Sequence, residues 1–124
     1  MKPVMIVDDD SLILNTVKIV LQRRGYEVVQ APSGMDCLEH LRQGFRGVIL
    51  MDIMMPGLDG WQTIRALVNE QLQAGNMICM LTAKSSVGAE ANGLEEFVFD
   101  YLTKPFGERA LLDMVENAIA FLPV

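Results

Sequence analysis

The stretch GVILMDIMMPGLDG, residues 47–60, decides how the rest of the chain is read. After its glycine, the run to Met51 is apolar at every position. A strand with one wet face alternates apolar and polar residues, whereas a strand covered on both faces is apolar throughout. The run therefore predicts a buried strand over 47–51. It stops on a carboxylate, Asp52, and Asp59-Gly60 then reads as a turn and a helix cap. Beyond the cap, Trp61, Ile64, Leu67, Val68 and Leu72 recur at helical spacing and predict a helix over 60–73. Trp61, at the head of that stripe, reads as core. Strand, loop and helix make one βα unit.

Four more units follow the same pattern. The other apolar runs are PVMIV (3–7), EVVQA (27–31), NMICML (76–81) and FVFDYL (97–102). The helical faces are Leu14, Val17, Val20 and Leu21 in 11–24, Met35, Leu38 and Leu41 in 33–42, and Leu111, Leu112, Val115, Ile119 and Leu122 in 108–122. Residues 85–96 make the poorest helix, since Gly88 and Gly93 each cost about 1 kcal/mol relative to Ala. Five successive βα units predict an α/β fold with a parallel sheet and right-handed crossovers. No linker, repeat or low-complexity segment interrupts them, so one domain over 1–124 is expected.

Composition narrows the function. Apolar residues make up 51% of the 124 residues, enough for a real core, and the net charge is −6. An acidic chain without a basic stripe is ill suited to direct contact with nucleic acid or anionic membranes, because phosphates need clustered Lys and Arg. No apolar run approaches the roughly 18 residues of a membrane span. The N-terminus meets charge too early for a signal peptide, so none is expected. Cys37 and Cys79 are far apart and lack CxxC spacing; Cys79, inside MICML, reads as a buried reduced thiol. The expected location is the cytoplasm.

In a doubly wound sheet, ligands bind outside the carboxyl ends of the strands. Asp8, Asp9, Asp10 and Ser11 follow the first strand, Asp52 the third, Thr82 the fourth, and Lys104 with Pro105 the fifth. Two readings of Asp10 and Ser11 stand: part of an acidic site, or caps of the first helix. Asp8 and Asp9 with Asp52 make an all-oxygen, strongly acidic group of the kind Mg²⁺ prefers. Lys104 adds a second positive charge. Such a set suits a carboxylate nucleophile acting on phosphorus. Asp52 would attack, while Mg²⁺, Lys104 and Thr82 would take the phosphoryl oxygens.

The motifs Asp8-Asp9, LMDIMMPGLDG around Asp52, LTA with Thr82, and DYLTKPF with Tyr101, Lys104, Pro105 and Phe106 occur in this order at the strand ends. With them the chain resembles the receiver domain of two-component response regulators. The resemblance implies a flavodoxin-like fold, a doubly wound five-stranded parallel sheet in the order 2-1-3-4-5 with five helices. It implies a phosphoryl group passed from a histidine kinase or a phosphotransfer protein to Asp52. It implies Mg²⁺ held by Asp8, Asp9, Asp52 and the backbone carbonyl of Met54, and phosphoryl contacts from Lys104, Thr82 and the backbone of Ala83. Thr82 and Tyr101 would be switch residues, and the Lys104–Pro105 bond would be cis. The face built from 85–96, the fifth strand and the last helix would address a downstream protein or output domain, or a second copy of the chain.

The chain departs from the family's pattern at Phe97 and Val98, where a Gly-Ala pair is common. Met54 and Lys84 stand where receivers tune loss of the phosphoryl group, and an apolar Met54 cannot orient a water by hydrogen bonding. Three other functions compete. A Mg²⁺-dependent aspartyl-phosphate phosphohydrolase of the haloacid-dehalogenase type carries a second acid two residues after its nucleophile; here Met54 stands there. A flavin carrier on this fold would need a phosphate loop after the first strand, and three aspartates would repel a phosphate. A phosphorylation-independent pseudo-receiver would not need Asp52, Thr82 and Lys104 together. His40, between Glu39 and Leu41, reads as a surface residue, and the nine methionines as core filler.

Overall fold

A computed structural model describes residues 3–83 and 90–122. In chain order they form β1 (Pro3–Val7), α1 (Ser11–Arg23), β2 (Glu27–Ala31), α2 (Gly34–Arg42), β3 (Val48–Asp52), α3 (Gly60–Asn69), β4 (Met77–Thr82), β5 (Val98–Thr103) and α4 (Glu108–Ala120). The strands are parallel and lie in the order β2-β1-β3-β4-β5. This is the doubly wound, flavodoxin-like sheet.

The consecutive apolar runs are explained by two cores. Val4, Ile6, Val48, Leu50, Cys79 and Leu81 face α1 and α4. Met5, Val7, Ile49, Met51, Ile78 and Met80 face α2 and α3. Successive side chains of a strand point to opposite faces, so a central strand covered on both sides buries nearly all of them, while the edge strands β2 and β5 stay partly exposed. All five residues of β3 are buried. Cys37 and Cys79 are buried free thiols, both pushed up to about 12, chiefly by burial.

Three expectations are corrected. Met35 is 57% exposed. The buried face of α2 is Gly34, Cys37, Leu38 and Leu41, and Met35 sits one residue, about 100°, off that face. The third helix ends at Asn69 rather than at 73. Gln71 takes φ 60°, its N–H donates to Val68 O and that of Leu72 to Leu67 O. This is a Schellman ending, which keeps Leu72 against the core after the helix has stopped.

Among the described residues there are four α-helices where five were expected. The fifth was expected over 85–96, of which 85–89 lie outside the described residues. Asn92 and Gly93 have φ 50° and 83°. Two successive left-handed residues cannot continue a right-handed helix. A 3₁₀ turn, Leu94–Phe97, follows directly and buries Leu94.

Candidate functional site

The strand register assembles the site. Val7 pairs with Met51, so the next residues, Asp8 and Asp52, leave the sheet side by side. They follow Ile6 and Leu50 by two positions and share the pleat direction of the α1–α4 core. Asp52 pairs with Leu81, and Thr82 pairs with Thr103. One step further places Lys104 over the acids.

Lys104 Nζ lies 2.7 Å from Asp8 Oδ2 and 3.2 Å from Asp52 Oδ1. Asp8 is fully buried and Asp52 is 6% exposed, whereas Asp9 is exposed. Burial pushes the Asp52 carboxyl up to about 6, aided by the charge of Asp8 and opposed by Lys104. Burial works against the Lys104 ammonium too, but its hydrogen bond to Asp8 and the charges of both acids outweigh this and raise its pKa.

Local structure fixes each acid. Asp8 Oδ1 accepts from the N–H of Asp10 at 2.9 Å. Asp10 itself caps α1, accepting from Leu12 N–H at 2.9 Å; of its two readings, the cap is the one seen. Behind Asp52, the Gly60 N–H donates to Ile53 O at 2.7 Å. A Cβ on Gly60 would sit 2.5 Å from Asp52 O and 2.9 Å from Ile53 Cα, so only glycine lets α3 start this close to the strand end. Asp59 caps α3 with a reciprocal capping box to Gln62.

One carboxylate oxygen each from Asp8, Asp9 and Asp52 fall within 4.8 Å of one another. Three acids offering only oxygen fit Mg²⁺, which takes a few carboxylates and completes its shell with water or phosphate oxygens. Met54, in the loop after Asp52, is 42% exposed. Thr82 and Ala83 are half-buried at the end of β4, and the Thr82 carbonyl accepts from Lys104 N–H at 2.6 Å. The Lys104–Pro105 peptide is cis. Lys84 lies outside the described residues.

Tyr101 is not in the acid cluster. It pairs with Met80 on the sheet edge and is 45% exposed. Partial burial and the charge of Glu95 raise its pKa. Its ring centroid lies 6.4 Å from that of Trp61. Sequence reasoning missed this contact and the tight seat of Gly60. The DG pair announced a cap, but nothing in it announced the approach to Asp52.

The model for the response regulator receiver domain matches residues 4–116. Protein PilG of Pseudomonas aeruginosa is 34% identical over 122 residues, covering 98% of this chain and 90% of that protein. Protein PilH of the same organism is 32% identical over 120 residues, covering 97% and 99%. A CheY-like response regulator receiver domain protein from Methanospirillum hungatei JF-1 superposes with a TM-score of 0.92 at 46% identity, covering 96% of this chain and 94% of that one. The register that brings Asp8, Asp52 and Lys104 together thus belongs to a shared architecture, and this chain is a member of the response regulator receiver domain family of two-component signalling.

Proposed function

We propose that this receiver accepts a phosphoryl group on Asp52 from a phosphohistidine of a histidine kinase or phosphotransfer protein. The observation that carries the reading is the single ammonium of Lys104 bonded to both Asp8 and Asp52 beside a three-acid cluster. Asp8, Asp9, Asp52 and the Met54 carbonyl would hold Mg²⁺, which would supply positive charge against the phosphoryl oxygens. An ionised Asp52 oxygen attacks phosphorus; the new O–P bond forms as the N–P bond breaks, and the electron pair leaves on the imidazole nitrogen. With its carboxyl at about 6, Asp52 is largely ionised at neutral pH. Lys104, the Thr82 hydroxyl and the Ala83 N–H take phosphoryl oxygens, the positioning and charge that this transfer needs.

The product is a switch rather than a turnover catalyst. An aspartyl phosphohydrolase needs an acid or base to drive hydrolysis, and the side chain two residues after Asp52 is the thioether of Met54. Met54 and Lys84 set the lifetime of the phosphoryl group. Thr82 turns toward it and Tyr101 toward the space left behind, which alters the face of β5 and α4 together with 85–96, of which 85–89 lie outside the described residues. That face meets a downstream protein, an output domain or a second copy of the chain. The net charge of −6 favours protein partners over nucleic acid or membrane, and a cytoplasmic setting would supply the kinase.

The test is intact mass after incubation with Mg²⁺ and acetyl phosphate. One added phosphoryl group, absent with chelator and absent in Asp52→Asn, is expected. Sustained phosphate release at constant protein mass would point to a hydrolase. An unchanged mass with no release would leave a pseudo-receiver.

A further inference from the structure

The loop 53–59 joins Asp52 to α3 and carries Met54. Gly60 holds one end of it against the strand, as described above. Its other side meets α2. A Cβ on Gly34, the first residue of α2, would overlap Thr63 Oγ1 and come 3.1 Å from Leu58 Cβ. Thr63 is fully buried and donates its hydroxyl to Asp59 O at 2.8 Å. The start of α2, the loop and the first turn of α3 are therefore one packed joint.

The far ends of the same two helices are also tied. Arg42, the last residue of α2, makes two hydrogen bonds to Glu70, the C-cap of α3, at 2.8 and 2.7 Å. That pair is exposed and resists rotation only weakly; the firmer restraint on α2 is its buried face, Cys37, Leu38 and Leu41, packed in the core. The displacement caused by a side chain added at position 34 passes into Thr63 and Leu58, and so into the loop. We propose that the Gly34–Thr63 joint sets the position of loop 53–59, which makes Gly34 a positioning residue for the metal and phosphoryl site from a helix that contributes no ligand. The inference rests on the reading that Mg²⁺ is held by the acids and the Met54 carbonyl.

Calorimetric Mg²⁺ titration of the full chain separates the two. Outer partners that orient a metal's ligands typically contribute ten- to a hundredfold in affinity. Gly34→Ala is expected to weaken Mg²⁺ binding roughly tenfold and to slow labelling by acetyl phosphate in parallel. Thr63→Ala in the same chain removes the obstructing oxygen and should restore the affinity in part, up to that of Thr63→Ala alone, which also lacks the bond to Asp59 O, whereas Thr63→Ser keeps that oxygen and should not. If Gly34→Ala is too unstable to titrate, Thr63→Val carries the test: it keeps the volume, removes the bond to Asp59 O and should weaken Mg²⁺ severalfold. Affinity within twofold of the starting protein for Gly34→Ala, or for Thr63→Val where that variant is used, overturns the proposal. So does equal rescue by Ala and Ser. A starting protein that binds no Mg²⁺ overturns the underlying reading instead.

Discussion

Asp52→Asn should stabilise the metal-free protein, and the gain should depend on pH in one direction. The Asp52 carboxyl is held at about 6 by burial and by Asp8, against an ordinary 3.8. At 1.36 kcal/mol per unit, ionising it in the fold costs about 3 kcal/mol more than ionising it in the unfolded chain. A raised carboxyl favours the folded state while it stays protonated. That contribution is complete below about pH 4, is lost as pH rises toward 6, and is gone above it. Asparagine resembles the protonated form at every pH. The variant should therefore match the parent near pH 4 and exceed it by about 3 kcal/mol at roughly pH 8, a rise in Tm on the order of 10 °C for a chain of this length. The assay is thermal unfolding by circular dichroism in chelator across that pH range. Saturating Mg²⁺ should narrow the gap at high pH, since it binds the folded parent and stabilises it by mass action. A gap independent of pH, or a less stable variant at pH 8, would refute the reasoning: it would mean that Lys104 fully offsets the buried charge.

Three further outcomes follow from the same geometry. Lys104→Ala leaves Asp8, which is fully buried, without its ammonium, so the metal-free protein should lose roughly 3 kcal/mol at neutral pH; urea unfolding with and without Mg²⁺ should show part of this restored by the ion. Asp59→Ala removes the capping box of α3 and should cost about 1 kcal/mol in the same urea experiment. Hydrogen exchange comparing the Mg²⁺ form with the Mg²⁺-beryllofluoride form should show protection changes that reach residues 90–106, and changes confined to the loops after β1 and β3 would count against the proposed output face.

What was legible in the sequence was whatever repeats or terminates a run. The central strands β1, β3 and β4 are apolar almost throughout and stood out for that reason, the half-exposed edge strands β2 and β5 less so, and a polar residue ends or directly follows β1, β3, β4 and β5. The acids and Lys104 needed only that parallel strands end at one edge. Contacts without a period were not legible. Gly34 against Thr63 and Tyr101 near Trp61 link residues whose spacing carries no pattern. Met35 was placed on the wrong face because an amphipathic pattern does not say which residue starts the helix. Leu72 kept helical spacing after the helix had ended, because a Schellman turn returns the next residue to the same core. In 85–96 the composition argues against a good helix, and among its described residues, 90–96, the left-handed pair Asn92–Gly93 interrupts any helical run.

The site is a line of contacts in which each member holds the next. Asp10 caps α1 while its N–H fixes Asp8 Oδ1. The other oxygen of Asp8 takes the shorter of the two Lys104 bonds, 2.7 Å against 3.2 Å to Asp52. Lys104 is thus anchored mainly by the acid that is not the proposed phosphoryl acceptor. A group arriving on Asp52 can compete for the longer bond without freeing the lysine, because Asp8 keeps it at the sheet edge. The price of this arrangement is a second buried carboxylate beside the first, and that carboxylate is one of the charges that raise the pKa of Asp52. Asp8 thus adds to the shift that burial imposes on Asp52 while it holds Lys104 in place. Replacing Asp8 should lower the Asp52 carboxyl only in part, since burial remains, and should loosen Lys104 at the same time.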